Sequence, residues 1–513
     1  MKKTLLLISL AFMIIACDNT TEYREYGNSY NLVPAPKKFE VGASAIALTV
    51  ESKMYTNESE LEKLLLLFQK ELKLVHNFEI GISNKKDKSA DIIFELNDEY
   101  KKEEYSIKID KKINVKAGSY QAAVMAKNTL LQHASHKDGL VFNELKIHDY
   151  PDAEYRGLMI DLARNWHTID QLKQLIDMAS YYKLNYVQLH FTDYQSYTLP
   201  SKHYPNLATE NKTYSFDELK DLEAYSQLRG ITIIPEIDVP GHSLQFTEKY
   251  PEIFGIKDIK ENPWIINMGK EEVYEALDLL IGEMCEIFSS TPYFHIGGDE
   301  AIFHKVMDDP DVQNYIKEHG IENDAHELYR HFIVRMNDIV KNNKKQLCVW
   351  EGFRPKGIIP IPKDIIVYEY ETNRYLPQEL IRDGYTVVNT SWKPLYVVNK
   401  KKWEPKTIYD WNLWHWGNWF PKAPSFEPIQ LEKTPLIIGG QMCAWEQAAD
   451  KEVPSLRKRL PVFLERIWNT EKKMDFESFM VILEQTDSNL TKLIKDDRQD
   501  SLLHGHNFTA EME

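Results

Sequence analysis

The chain has 513 residues, with 62 Lys and Arg against 78 Asp and Glu, a formal net charge of −16. That balance excludes a general nucleic-acid binder, which presents a basic face. A hydrophobic share of 43% and a charged share of 27% exclude a chain that is disordered throughout. The length allows two to four domains. The 11 Trp and 28 Tyr suit a sugar-binding cleft, and equally a large core.

Residues 1–17 read as an export segment. Lys2 and Lys3 precede a short apolar run, Leu5 to Ile15, which ends at Ala16-Cys17. The run is too short to span a bilayer comfortably. The segment resembles a bacterial lipoprotein signal, with Cys17 as the lipid-modified residue; an ordinary secretory signal is the alternative. Residues 18–30 then form a tether, and the expected location is the bacterial cell envelope, periplasmic or surface-exposed, with the membrane as a partner through lipid. Only Cys285, Cys348 and Cys443 follow, too few for a disulfide framework and without zinc-ligand spacing. No metal or other cofactor is expected, and the oligomeric state is left open.

Residues 31–150 mix strand-like pieces (Ala45–Val50, Ile92–Leu96, Tyr105–Ile109) with helical ones (Glu58 to Leu74, Ser119 to His133), which predicts an accessory α+β domain closed by Tyr150-Pro151. Residues 151–470 then alternate buried strands with helices. The strands are expected at Gly157–Leu162, Tyr186–His190, Ile231–Ile237, Tyr293–Ile296, Leu347–Trp350, Ile365–Tyr370, Thr386–Thr390 and Leu436–Gly439. Apolar strands separated by helices such as Ile169–Tyr182, Phe216–Arg229, Val273–Phe288 and Ala325–Asn342 imply parallel pairing. The predicted class is α/β, a (β/α)8 TIM barrel preceded by the smaller α+β domain, with residues 471–513 as a C-terminal helical tail. An open doubly wound sheet would want a Gly-rich phosphate loop, which is not found.

A barrel's active site lies at the carboxyl ends of its strands. Arg164, Asp193, Asp238, His242, Asp299, Glu300, Trp350, Glu351, Trp392, Tyr396, Trp445 and Glu446 all follow strand runs. Acids, one Arg and several Trp in that ring are what a sugar-cleaving cleft needs.

His295-Ile296-Gly297-Gly298-Asp299-Glu300 resembles the signature of glycoside hydrolase family 20, the β-N-acetylhexosaminidases. So do Tyr155-Arg156-Gly157-Leu158-Met159-Ile160-Asp161 with Arg164, His190-Phe191-Thr192-Asp193, Ile234 through His242, and Gly439 through Trp445, in order along the chain. The resemblance implies removal of a terminal β-linked N-acetylhexosamine (GlcNAc or GalNAc) from a glycan, with retention, the substrate's acetamido oxygen serving as nucleophile through an oxazolinium intermediate. Glu300 is then the acid and base and Asp299 the group that orients the acetamide. Asp193 and His242 hold and tune the acid. Arg164 binds ring hydroxyls, Tyr396 donates to the acetamido carbonyl, and Trp350, Trp392 and Trp445 wall the sugar. Burial and neighbouring acids should raise the Glu300 pKa. Asp299 and Glu300, as neighbours on a strand, should point to opposite faces.

The chain also departs from the pattern. Tyr194-Gln195-Ser196-Tyr197 follows Asp193, Val398 and Gln447 stand where the family commonly carries carboxylates, and Glu446 comes one place early. Neutral residues there predict better tolerance of an anionic group at C6, such as a 6-sulfate, paired by Lys393 or the Lys- and Trp-rich insert 399–430. Two further alternatives remain: a catalytically altered lipoprotein that binds N-acetylated glycans, and a metal-dependent barrel hydrolase, the latter lacking a second His at ligand spacing.

Overall fold

A computed structural model describes residues 32–83, 89–136, 139–257, 264–399, 401–423, 425–471 and 474–500. The export segment with Cys17, the tether and residues 501–513 lie outside the described residues. Among the described residues no helix is long and apolar enough to cross a membrane.

The N-terminal unit is a mixed sheet in the order Lys38–Leu48, Leu140–Asp149, Tyr105–Ile109, Ile113–Ala117, Ile92–Leu96, Lys53–Thr56 and Gly81–Ile82. Alternation explains its two faces: Tyr105, Ile107 and Ile109, and Ile113, Val115 and Ala117, are buried, while the residues between them are not. Two helices, Glu62–His76 and Tyr120–His133, pack against this sheet. The second is buried along Ala122–Gln132 because it also meets the next unit: Asn128 Nδ2 donates to the Ser180 carbonyl at 2.6 Å and Gln132 Nε2 to that of Tyr181 at 2.9 Å. Its alanines allow that close approach. Asp149 ties the units further, accepting from Tyr105 Oη (2.6 Å), Trp468 Nε1 (3.0 Å) and Lys183 Nζ (3.2 Å).

The second unit is a closed parallel barrel of β1 (Tyr155–Asp161), β2 (Tyr186–His190), β3 (Thr232–Glu236), β4 (Tyr293–His295), β5 (Gln346–Trp350), β6 (Ile366–Glu369), β7 (Thr386–Asn389) and β8 (Ile437–Trp445). β8 pairs with both β1 and β7, which closes it. Strands covered on both faces read as continuous apolar runs. Their inward side chains, among them Met159, Ile234, Cys348, Tyr368, Val388 and Cys443, fill the interior. Cys348 and Cys443 are buried free thiols. Capping boxes open the outer helices Ile169–Tyr181 (Thr168 with Gln171) and Phe216–Leu228 (Ser215 with Glu218).

β8 runs beyond the expected Leu436–Gly439. Gly439 and Gly440 lie inside it, and a Cβ on Gly439 would meet the Tyr155 carbonyl at 1.7 Å. The glycine marks close approach of β1, not a strand end. After β7 the chain folds back onto the barrel. The short strand Tyr396–Val398 pairs with the end of β8, and Trp411 and Trp416 are buried, while Trp392 stacks on Trp419 at 4.9 Å. The helix Phe476–Ile494 packs against Glu62–His76 and Ile169–Tyr181.

Candidate active site

The segment after β4 is a left-handed turn. Gly297 has φ +68°, Gly298 φ +95° and Glu300 φ +46°. A Cβ on Gly297 would lie 1.7 Å from Asp238 Oδ1, so the position admits only glycine. The Gly298 amide donates to that same oxygen at 3.2 Å, and Tyr329 Oη donates to the Gly298 carbonyl. The turn corrects the expected geometry. Strand alternation has ended at His295, and Asp299 and Glu300 both face His242: its Nε2 is 3.9 Å from Asp299 Oδ2 and 3.6 Å from Glu300 Oε2.

His242 follows β3, itself at φ +51°, and its Nδ1 stands 3.1 Å from Asp193 Oδ1. Asp193, after β2, also meets Arg164 Nη2 at 2.7 Å and His190 Nε2 at 3.0 Å. Arg164, after β1, places Nη1 3.1 Å from Asp161 Oδ2. Its fork is therefore held by two carboxylates and braced by the Trp445 ring, 5.1 Å away.

Beneath lies a buried layer. Glu236 accepts from Trp350 Nε1 (2.7 Å) and Gln188 Nε2 (2.8 Å), with His190 Nδ1 at 3.0 Å and His295 Nδ1 at 3.2 Å. Burial works against its charge, but the two imidazoles hold its carboxyl well below the ordinary range. His190 is shifted far upward, since Glu236 and Asp193 outweigh the cost of burying a cation. The same balance, with Asp238, Asp193, Glu300 and Asp299 against burial, makes His242 a firm cation. Burial, then the charges of Glu300 and Glu236, lift Asp299, although His242 opposes them. Glu300 moves the other way from the sequence expectation: its hydrogen bond to the His242 cation outweighs burial and lowers it. The expectation considered burial and acids, and left out the charge on the imidazole.

Residues 154–471 match the catalytic domain of glycosyl hydrolase family 20, and residues 29–150 match that family's domain 2. The chain belongs to glycosyl hydrolase family 20. The β-hexosaminidase subunit beta of Entamoeba histolytica is 27% identical over 410 residues, spanning 74% of this chain and 71% of that protein. The β-hexosaminidase of Vibrio furnissii is 28% identical over 392 residues, 70% of this chain and 62% of that protein. Among solved structures, the β-N-acetylhexosaminidase of Bacteroides fragilis superposes with a TM-score of 0.77 at 24% identity, covering 90% of this chain and 96% of that one. Family and relatives make this chain a glycosidase of the β-N-acetylhexosaminidase class, and the barrel with its preceding domain is the family 20 fold.

An aromatic group at the candidate site comes from two segments, the one after β7 and the end of β8. Tyr396, Trp392 and Trp445 stand together, with Tyr396 6.3 Å from Trp445 and 6.2 Å from Trp392 between ring centres. Trp350 does not join them at the surface. It is 1% exposed and lies under the floor, 5.9 Å from Trp445, because its indole N–H is spent on Glu236. Glu446 is exposed at the rim with φ +57°, its amide donating to Asp161 Oδ2 at 3.2 Å.

Several residues escaped the sequence reading. Tyr370, Glu371 and Arg374 follow β6, where no polar group was expected. Arg374 pairs with Glu371 at 2.6 Å. Tyr370 Oη and Asp299 Oδ1 are buried without a hydrogen-bond partner, the kind of atom a bound sugar satisfies. Burial, then the Glu371 charge, push the buried Glu351 up to about 8. The available signal was Tyr368-Glu369-Tyr370-Glu371, acids interrupting a strand run. His190, Glu236 and Asp238 could together hold a cation, as could Asp193, Asp238 and His242. Both imidazoles are already engaged by carboxylates, and a metal needs them neutral.

Proposed function

We propose that this chain is a retaining β-N-acetylhexosaminidase that removes terminal β-linked GlcNAc or GalNAc from glycans by substrate-assisted catalysis. The observation that carries the reading is the left-handed turn that sets an enclosed Asp299 and a half-exposed Glu300 on one imidazole. Two carboxyls so placed cannot flank a glycosidic bond from opposite sides, so the nucleophile comes from elsewhere. Glu300 gives its proton to the departing oxygen while the acetamido oxygen of the substrate attacks C1 and the C1–O bond breaks. Asp299, through its unpartnered oxygen, accepts from the acetamide N–H and offsets the charge that develops on the oxazolinium ring. Glu300, now ionised, takes a proton from water as it attacks C1; the C1–O bond of the oxazolinium ring breaks, the acetamide is regenerated, and the second inversion restores the configuration. Filling the cleft with sugar removes water from Glu300, which favours its protonated form against the pull of His242.

The test compares 4-nitrophenyl β-GlcNAc with the β-glucoside and adds a GlcNAc-thiazoline. Selective hydrolysis of the first, with thiazoline inhibition, is expected; equal rates on both glycosides overturn the assisted mechanism. Lys2, Lys3, the apolar run and Cys17 further support export with lipid anchoring at the envelope. Fatty-acid labelling lost in Cys17→Ser is the expected result, and label retained in the variant would remove the anchor.

A further inference from the structure

Glu300 divides the cleft. Asp299, Tyr396 and Trp445 lie on the side of the retained sugar. Beside Glu300 lies a cleft of about 700 Å3, lined by Ala301, the next residue in the chain, and by Arg374, whose charge acts on Glu300. A general acid stands between the sugar it releases and the group that departs, so a cleft that adjoins Glu300 is a candidate for the departing sugar.

Its lining inverts the charge of the molecule. In a chain of net −16, the cleft collects Arg354, Lys356 and Arg374, with His326 and Asn373 beside them. Burial and then the charges of Arg354 and Arg374 lower the His326 pKa, so that ring is neutral. Glu300 and Glu351 act on Arg374 from the catalytic side, and the other nearby acids are committed. Glu371 pairs with Arg374, Asp324 accepts from the His326 and Glu327 amides at the helix start, and Glu327 accepts from the Ile358 and Ile359 amides at 2.8 and 2.9 Å. Among the described residues, no carboxylate lies within ion-pair distance of Arg354 or Lys356.

The loop that carries these two cations is also fixed. Buried Arg330 donates from Nη1 to the Arg354 carbonyl at 2.8 Å and from Nε to that of Ile359 at 2.6 Å, and Glu327 holds the same loop from the other side. The backbone beneath the two exposed cations is thereby held in place, and an Arg fork fits a planar carboxylate or a sulfate through paired hydrogen bonds.

We propose that this cleft is an acceptor-side subsite selective for a departing sugar that bears an anionic group, either the carboxylate of a uronic acid or a sulfate ester. The inference rests on the hydrolase reading above, and adds the class of glycan on which it acts.

The experiment uses the full chain and three disaccharides with the same β-GlcNAc: one on glucose, one on glucuronate and one on a 6-sulfated hexose. kcat/KM for at least one anionic acceptor should exceed the neutral one about tenfold, and the ratio should fall toward one in Arg354→Ala/Lys356→Ala. It should fall likewise as salt rises, since exposed charges are screened within about 10 Å at 0.1 M. The two anionic arms decide between carboxylate and sulfate. A neutral acceptor cleaved as fast as both, or a preference that survives the double variant, overturns the proposal. If 4-nitrophenyl β-GlcNAc itself is not hydrolysed, the hydrolase reading fails. Calorimetry of the same disaccharides then still reads the cleft, with tighter binding of an anionic one supporting it and equal binding of all three overturning it.

Discussion

His242 and Glu300 stand 3.6 Å apart, and their contact favours the ionised form of Glu300. The imidazole is a cation because Asp238, Asp193, Glu300 and Asp299 together outweigh its burial. That cation holds Glu300 down. The proposed mechanism needs Glu300 protonated at the first step, so kcat/KM should be lost as pH rises through the Glu300 pKa of the free protein. His242→Asn removes the cation and lets Glu300 rise. The alkaline limb of kcat/KM should therefore move to higher pH, on a lower plateau. A pH series on aryl β-GlcNAc checks it, and an unmoved limb assigns that ionisation to another group.

Glu300→Gln and Asp299→Asn should separate by leaving group. The first removes the proton donor and should cost about 10²- to 10⁴-fold on 4-nitrophenyl β-GlcNAc, where departure benefits from general acid help. On a 2,4-dinitrophenyl substrate, whose leaving group departs unaided, the loss should shrink. Asp299→Asn acts on the nucleophile and should cost similarly on both. Equal losses for Glu300→Gln on both substrates would take away its role as acid.

Glu236 anchors the layer below. Glu236→Gln leaves the Trp350 indole with a partner but deprives buried His190 of one of its two counter-charges. Breaking a buried pair this way costs about 3–5 kcal/mol. The Glu236 carboxyl is depressed in the fold, so its contribution is present above the ordinary carboxylate range and is lost as pH falls. His190 is raised, so its contribution is present below the ordinary imidazole range and is lost as pH rises through the folded value. Wild-type stability should peak between those ranges, and the variant should flatten the peak. Denaturant midpoints across pH measure it; a loss under about 1 kcal/mol would argue against a structural role for the charge.

Chelation should leave activity intact. Both His190 nitrogens already face carboxylates at 3.0 Å, and the carboxylates near His242 are engaged in holding it charged. A cation would have to displace protons from both rings. Activity lost to exhaustive chelation and restored by a divalent ion would reverse this view.

The barrel was legible because strands covered on both faces become apolar runs, from Tyr186–His190 to Thr386–Asn389, and because their polar ends cluster. What was hidden follows from conformation. Nothing in Gly297-Gly298-Asp299-Glu300 reveals that three of its residues take positive φ, so the shared face of the two carboxylates was missed. Trp350 and Trp445 are the same residue type after strand ends, yet one is spent on Glu236 under the floor and the other braces Arg164. The group after β6 was missed because only a short helix, Pro377–Arg382, precedes β7, and helix-strand alternation does not mark that loop.

The far edge of the sugar site brings a correction and the last prediction. Neutral Val398 and Gln447 were expected to make that edge more tolerant of an anion at C6. Gln447 instead is 2% exposed, accepting from Ser455 Oγ at 3.0 Å and donating to the Trp445 carbonyl at 3.0 Å. Its amide is engaged within the protein. Lys393, offered as the partner for a sulfate, lies 5.4 Å over the Trp403 ring. The carboxylate at this edge is Glu446, exposed where the backbone takes φ +57° and tied by its amide to the Asp161 carboxylate that also holds Arg164. Glu446 comes one place before Gln447, on that left-handed residue. A carboxylate accepts from sugar hydroxyls and repels an anionic substituent. Glu446→Gln should therefore lower kcat/KM on 4-nitrophenyl β-GlcNAc about tenfold, chiefly through KM, as loss of a charged hydrogen-bond partner does. On the 6-sulfated aryl substrate, wild type should be the poorer enzyme and the variant should recover ground. The sulfated sugar here is the one retained, so the outcome is independent of the acceptor cleft. A wild-type preference for the 6-sulfated substrate that Glu446→Gln leaves unchanged would show that another group reads this edge.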